Sequence, residues 1–136
     1  MAVFPGPEWA DEYVKALNSN KEYKDAGKTW EGDITFVIQP DEKYSKTWYL
    51  YLDLFHGECR SYKASDKEDD IKKSEFSYIG KYSNWVKLIN KEIDPIQGLM
   101  TGKFKLDGPM MKIMRYTKAA KEMVNTASLV KTEFEA

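Results

Sequence analysis

Two alternating runs in the first half of the chain constrain the fold more than any other feature. Residues 30–39 read WEGDITFVIQ and residues 46–55 read KTWYLYLDLF. In the first run, Ile34, Phe36 and Ile38 share one face. One face of the second run carries four large apolar residues: Trp48, Leu50, Leu52 and Leu54. A period of two with β-branched and aromatic residues is typical of strands, and the linker QPDEKYS contains Pro and Asp, so the sequence predicts a β-hairpin.

Three further segments have the pattern of strands. They are CRSYKA at residues 59–64, SEFSYIG at residues 74–80, and Gly102–Asp107, in which Phe104 and Leu106 share a face. Short loops join the first four strands in chain order, which indicates an antiparallel meander. Together with the helical segments described next, the five strands predict an α+β fold.

Helical periodicity predicts four helices. The first spans about residues 8–18 and the second residues 83–91. A third, short helix begins at Asp94, because Asp at the N-cap, Pro at the first position and Gln97 form a helix-start signal. The last spans about residues 116–134, where a single stripe carries Tyr116, Ala120, Met123, Ala127, Val130 and Phe134. No repeat or linker divides residues 1–136, so we expect one domain.

No residue pattern predicts an enzyme or a metal site. His56 is the one histidine of the chain, so any Ser-His-Asp or Cys-His mechanism must use it, and no G-x-S-x-G motif occurs. His56 and Cys59 lie three residues apart without a second pair of ligands, which is a weak signal for zinc. We therefore expect no catalytic residue, no metal and no cofactor.

Charge balance and the length of the apolar runs limit the partners. The chain has 21 basic and 22 acidic residues, so neither nucleic acid nor an anionic membrane is an expected partner. The longest apolar-rich run, TWYLYLDLF, is far shorter than the ~20 residues of a membrane-spanning helix, so we expect no stable membrane insertion. The lone Cys59 fits a reducing compartment, and the first residues lack a signal-peptide pattern. These features predict a cytoplasmic protein.

Half of the methionines follow a single turn. Residues 102–114 read GKFKLDGPMMKIM, so Met110, Met111 and Met114 come directly after Gly108-Pro109, and the chain has six methionines in all. Methionine is flexible and polarisable, and it fills irregular gaps in cores as well as lining apolar pockets. The pattern leaves two interpretations open, core packing and the lining of a cavity.

A series of segments follows Glu75. They are Phe76-Ser77-Tyr78-Ile79-Gly80, Trp85 with Leu88, Asp94-Pro95, Met100-Thr101-Gly102-Lys103-Phe104-Lys105-Leu106-Asp107-Gly108, and Met111 with Ile113. With these segments the chain resembles the sterol carrier protein type-2 family. The N-terminal half agrees with the family in layout, with Gly32 before a strand of alternating apolar residues and a second strand that ends at Gly57. The resemblance covers about residues 28–125.

This resemblance implies a five-stranded, mostly antiparallel sheet covered on one face by helices, with an apolar tunnel between the two layers. In the family, such a tunnel accepts fatty acids, fatty acyl-CoA, sterols or other lipids and does not change them covalently. By position, Met110, Met111 and Met114 would lie near the mouth. Deeper inside would lie Trp85, Met100, Phe104 and Leu106. The expected ligand-binding residues are Phe36, Leu52, Phe76, Trp85, Leu88, Met100, Phe104, Leu106, Met110, Met111, Met114 and Met123.

The sequence supports a carrier and an alternative from another class. The first hypothesis is reversible burial of a fatty acid, acyl-CoA, isoprenoid or sterol-like lipid, with a head group that could meet Lys103, Lys105, Lys112 or Arg115. The alternative is an interaction module that binds another protein, or a second copy as a homodimer, through the same apolar surface. A third hypothesis is an accessory protein that presents a lipid-like substrate to a separate enzyme. A carrier should be monomeric, and a bound ligand should quench the fluorescence of one tryptophan, Trp85.

Overall fold

The computed structural model describes residues 1–135, which form seven strands and six α-helices. The strands are β1 (Ala2–Phe4), β2 (Glu31–Gln39), β3 (Trp48–Phe55), β4 (Glu58–Ser65), β5 (Phe76–Lys81), β6 (Phe104–Asp107) and β7 (Thr132–Phe134). The helices are α1 (Pro7–Ser19), α2 (Lys21–Ala26), α3 (Tyr82–Ile89), α4 (Pro95–Met100), α5 (Met110–Met114) and α6 (Thr117–Leu129).

Five strands form the main sheet, in the order β4-β3-β2-β5-β6. Three of its four pairings are antiparallel, whereas β5 pairs in parallel with β2. Across the middle of the sheet, Ile34 stands between Leu52 on β3 and Phe76 on β5. The expected α+β fold with a five-stranded, mostly antiparallel sheet is confirmed.

The predicted four-strand meander is wrong at its last step. The segment between β4 and β5 returns over the outer face of the sheet, so β5 pairs with the first strand of the hairpin and not with β4. Side chains hold this crossing in place: the Tyr49 hydroxyl donates to Glu68 at 3.3 Å, and the Thr35 and Ser74 hydroxyls lie 2.8 Å apart. The alternating pattern of a strand shows which side chains share a face but not which strands pair with it. The pattern alone therefore did not predict the crossing.

The other face of the sheet is covered by helices. α6 lies at the centre of the helical layer and contacts α1, α2, α3, α4 and α5. α1 directs Trp9, Tyr13 and Leu17 inward, each no more than 2% exposed. The core therefore lies between this layer and the inner face of the sheet.

The two ends of the chain meet in a small second sheet that the sequence did not predict. β1 and β7 pair in parallel, with Phe4 opposite Phe134. The C-terminal helix, expected to reach about residue 134, ends at Leu129. The Trp9 indole N–H donates to the Thr132 hydroxyl at 2.9 Å, and the Phe4 and Phe134 rings lie 6.3 Å apart. These long-range contacts favour a strand at 132–134 even though the sequence there continues the helical spacing.

Candidate functional site

An apolar cavity lies between the inner face of the sheet and the helical layer. Its volume is about 90 Å³. All six helices contribute to its wall, together with β2, β3, β5 and β6. Every lining side chain is aliphatic, aromatic, proline or methionine, and none carries a formal charge. Such a wall can hold an apolar molecule but gives no partner to an ionised one.

Aromatic rings form much of this wall. The rings of Trp9 and Tyr13 stack with centroids 5.1 Å apart, and Tyr13 contacts Phe36 edge-on at 6.1 Å. The Trp85 ring lies 5.2 Å from Phe36 and 5.7 Å from Tyr78. Aromatic contacts of this kind add to the stability gained from burial, so they fix the shape of the wall.

Hydrogen bonds tie the polar ends of these rings to the protein. The Trp85 indole N–H donates to the Val37 carbonyl at 3.0 Å, and the Tyr78 hydroxyl donates to the Pro95 carbonyl at 2.7 Å. The Tyr13 hydroxyl donates to a carbonyl of α6 at 3.1 Å. Burial raises the pKa of both tyrosines, so their hydroxyls stay protonated. The rings therefore present their apolar surfaces to the cavity.

One side of the wall is thinner than the rest. Leu99 on α4, Leu106 on β6 and Ile113 on α5 line the cavity and are only half-buried. Those of α1 and α2, and Trp30 before β2, are buried. The side bounded by α4, α5 and the first half of α6 is thus the one nearest to solvent.

The structure brings together part of the expected ligand-binding set. Five of the twelve residues line the cavity: Phe36, Trp85, Leu88, Leu106 and Met123. Three others lie in the packed core but do not line it: Leu52, Phe76 and Phe104. The remaining four are exposed methionines that do not line it: Met100 at 78%, Met110 at 43%, Met111 at 73% and Met114 at 41%.

The methionines after the Gly108-Pro109 turn lie on the outer side of α5. Gly108 has a φ of 129°, and a Cβ there would lie 2.6 Å from the Phe76 ring, so this turn requires glycine. α5 has only five residues, and it directs Ile113 into the cavity while Met111 faces solvent. These three side chains neither pack the core nor line the cavity, and their expected place near its mouth stays a prediction. Met100 was expected deep inside but is 78% exposed, so that position is wrong.

A lysine anchors α5 to the sheet. The Lys112 ammonium lies 3.0 Å from a Glu75 carboxylate oxygen and 4.8 Å from the centre of the Trp30 ring. Lys112 is therefore engaged within the protein. Among the described residues, no ion pair holds Lys103, Lys105 or Arg115, which are exposed.

Sequence reasoning missed the part of the wall that precedes β2. Trp9 and Tyr13 belong to a predicted helical stripe but were not expected to line a cavity, and α2, which carries Tyr23, was not predicted. A signal for α2 existed: Asn20 caps it by accepting hydrogen bonds from the backbone of Glu22 and Tyr23. The polar composition of this six-residue segment is otherwise typical of a loop.

The side chains with reactive chemistry lie elsewhere and are paired. The His56 ring lies 2.7 Å from a Glu31 carboxylate oxygen in an exposed turn. The Cys59 thiol donates to the Ser61 carbonyl, and its burial raises the pKa to about 11, which disfavours a nucleophilic thiolate. Within residues 1–135, no group of three or more His, Cys, Asp or Glu side chains is placed to hold a metal ion. No helix in this part of the chain is long and apolar enough to cross a membrane.

Comparison with known proteins agrees with this geometry. The model of the SCP-2 sterol transfer family matches residues 12–121. A crystal structure of sterol carrier protein 2 is 31% identical and superposes with a TM-score of 0.84, covering 92% of this chain and 97% of the other. A conserved hypothetical protein from Thermus thermophilus is 30% identical with a TM-score of 0.84, covering 94% of this chain and 90% of the other.

More distant structures share the fold alone. Palmitated SCP2L2 from Aedes aegypti is 12% identical with a TM-score of 0.59, covering 83% of this chain and 92% of the other. The comparison with curated proteins gave no match. The family model covers 110 of the 136 residues, and the two structures at 31% and 30% identity named above match almost end to end. This chain belongs to the SCP-2 sterol transfer family.

Proposed function

We propose that this protein binds a hydrophobic ligand in the apolar cavity and releases it unchanged. The observation that supports this most is the composition of the wall, which has apolar contributions from every helix and no charged side chain. Burial of an acyl or isoprenoid chain there would be driven by its removal from water, at about 0.8 kcal/mol for each CH₂ group. The proposal needs no catalytic group.

Binding of a long chain requires the cavity to expand. Ligand pockets have volumes of roughly 300–1,000 Å³, whereas this cavity measures about 90 Å³. The half-buried wall made by Leu99, Leu106 and Ile113 is the side that can move with the least loss of buried surface. α5 is a single short turn, so a shift of α5 and the start of α6 would both enlarge and open the cavity.

A head group would meet cations near this side. Lys112 is held by Glu75 and lies over Trp30, so it is the least suitable of the four cations considered. Arg115 follows α5 directly, is exposed and has no ion-pair partner among the described residues. We propose Arg115 as the first contact for an anionic head group that stays outside the cavity.

The decisive test is native mass spectrometry of freshly purified protein, followed by solvent extraction of bound material. Tryptophan fluorescence adds a solution measurement, because Trp9, Trp30 and Trp85 line the cavity whereas Trp48 does not. In a Trp48→Phe variant, the remaining emission comes from the cavity wall. We expect a lipid bound one to one, and a saturable change in emission when palmitate or palmitoyl-CoA is added. Protein that is empty and does not respond to either probe would refute carriage of these lipids.

A blocking variant gives a matched control. Ala120 on α6 lines the cavity and is half-buried, and Leu129 on the same helix is 70% exposed. Ala120→Phe should fill the cavity and reduce binding at least ten-fold, while Leu129→Phe should leave it unchanged. Equal binding by both variants would place the ligand elsewhere.

The interaction-module alternative is favoured by one observation, the exposed methionines of α5. Met111 is 73% exposed, with Met110 and Met114 beside it. If these side chains bind a second copy, light scattering should show a dimer that Met111→Glu dissociates. A monomer at all concentrations tested would leave the carrier as the better supported function.

A further inference from the structure

One hydroxyl in the cavity wall has no protein partner. The wall carries seven side-chain N–H or O–H groups, on Trp9, Tyr13, Tyr23, Trp30, Tyr78, Trp85 and Tyr116. Six of them take part in hydrogen bonds within the protein, at distances of 2.7 to 3.1 Å. Within residues 1–135 the Tyr23 hydroxyl takes part in none. Buried polar groups in proteins are nearly always paired, so this exception calls for an explanation.

The position of Tyr23 places its ring in the cavity wall. Tyr23 lines the cavity and is only 1% exposed. In the described part of the chain, no polar side-chain atom is both sealed from free space and without a hydrogen-bond partner, so the unpaired hydroxyl keeps a small accessible surface. A buried ring that lines an apolar cavity and carries an unpaired hydroxyl can offer that hydroxyl to a molecule in the cavity.

The chemistry around Tyr23 selects a neutral acceptor. Burial raises the pKa of the phenol, so the hydroxyl remains a proton donor. The neighbouring Cys59 thiol is engaged with the Ser61 carbonyl. No cationic side chain lines the cavity, and an ionised carboxylate buried there would lack compensation for its lost hydration. A hydroxyl, ketone, ester or ether oxygen has no such cost.

We infer that the Tyr23 hydroxyl is the hydrogen-bonding point for a ligand inside the cavity, and that this ligand carries a neutral oxygen acceptor at the end that enters first. The inference rests on the proposed binding function and narrows its ligand class. Long-chain alcohols, ketones and esters fit this description. A plain fatty acid that leaves its ionised carboxylate at the half-buried side of the wall brings a methyl group to this end and does not use the Tyr23 hydroxyl.

The test uses two probes that differ in one oxygen, 1-dodecanol and dodecane, each delivered from a cyclodextrin complex and followed by tryptophan fluorescence. The wild-type protein should bind dodecanol about five-fold more tightly than dodecane, the effect of one net hydrogen bond. Tyr23→Phe should remove this preference and leave the dodecane affinity unchanged. Tyr116→Phe is the matched control, because the Tyr116 hydroxyl is already paired with Thr29 at 3.0 Å, and it should keep the preference.

The possible outcomes separate this inference from the function on which it rests. If the wild type binds both probes equally, the inference is refuted and the binding function stands; this comparison does not depend on any variant. Preference retained in Tyr23→Phe likewise overturns the role of the hydroxyl. If neither probe changes the emission of the wild type, both the inference and the proposed function fail.

Discussion

Replacing Gly57 by alanine should destabilise the protein far more than the same change at Gly102. Both glycines have left-handed backbone conformations, with φ of 80° at Gly57 and 77° at Gly102. Alanine in this region costs roughly 1–2 kcal/mol at either position. The two sites differ in their surroundings. A Cβ at Gly57 would lie 2.5 Å from the Lys24 carbonyl oxygen and 2.8 Å from the Lys24 Cα, whereas a Cβ at Gly102 would have no heavy atom within 4 Å.

The additional cost at Gly57 comes from backbone that cannot move aside on its own. Lys24 lies in the middle of α2, so relief of the clash requires the whole helix to shift away from the β3–β4 turn. Overpacking of this kind costs about 1–3 kcal/mol. We therefore expect a loss of about 2–5 kcal/mol for Gly57→Ala and about 1–2 kcal/mol for Gly102→Ala. Because α2 carries Tyr23, the first variant should also weaken ligand binding.

Urea unfolding followed by circular dichroism measures this difference. The free energy of unfolding of each variant is compared with that of the wild type, and an unchanged m-value shows that the unfolded states are comparable. For a chain of this size, each kcal/mol corresponds to a fall of roughly 3–5 °C in Tm. Equal losses in the two variants would refute the reasoning, because they would mean that α2 does not pack against the turn at Gly57.

Three further predictions concern single contacts. Tyr78→Phe removes the hydrogen bond to the Pro95 carbonyl, so the free energy of unfolding should fall by about 1 kcal/mol; no change in chemical denaturation would argue against this bond. Lys112→Ala removes the ion pair with Glu75, so limited proteolysis should cut near α5 faster than in the wild type, and an identical digestion pattern would show that the lysine does not anchor α5. The Cys59 thiol has a pKa of about 11 against an ordinary value of 9.0, so its contribution to stability is complete below pH 9 and is lost between pH 9 and pH 11; rapid reaction with a thiol reagent at pH 8 in the native state would contradict its burial.

The hairpin strands β2 and β3 were predictable because each has one face that is largely buried. In β2 the apolar side chains alternate regularly, and the same period marks β3. That signal comes from residues that are close together in sequence, so it can be read without knowing the rest of the structure. The order of strands is not local: the parallel pairing of β5 with β2 depends on the path of residues 66–75 over the outer face of the sheet.

The ends of the chain show the limit of local patterns most clearly. Val130 and Phe134 continue the spacing of a helical stripe, yet the helix ends at Leu129 because residues 132–134 pair with residues 2–4. This partner is more than a hundred residues away in sequence. A three-residue strand such as β1 has too few positions for a period to be read from it.

The candidate site was predictable where a long element has a regular inward face, and less so in short elements and loops. Trp85 and Leu88 were identified because α3 has a clear inward stripe and because the family resemblance includes them. Trp30 and Tyr23 lie in a loop and in a six-residue helix, where no period is long enough to assign a face. The methionines after Gly108 do not line the cavity because α5, a helix of one turn, directs Ile113 inward instead; their expected place near the mouth stays a prediction.

The arrangement of firmly and weakly held parts around the cavity indicates how the proposed ligand would enter and leave. The aromatic wall is held by ring contacts and by hydrogen bonds from Trp85 and Tyr78 to backbone carbonyls in separate elements. The opposite wall is less firmly held: α4 is tied to Tyr78 at its first residue, Pro95, but Leu99 near the end of α4 and Ile113 on α5 are half-buried. Local opening has the lowest free energy where few buried contacts are lost. Exchange of the proposed ligand should therefore proceed past the end of α4, α5 and the start of α6, while the aromatic wall keeps its shape.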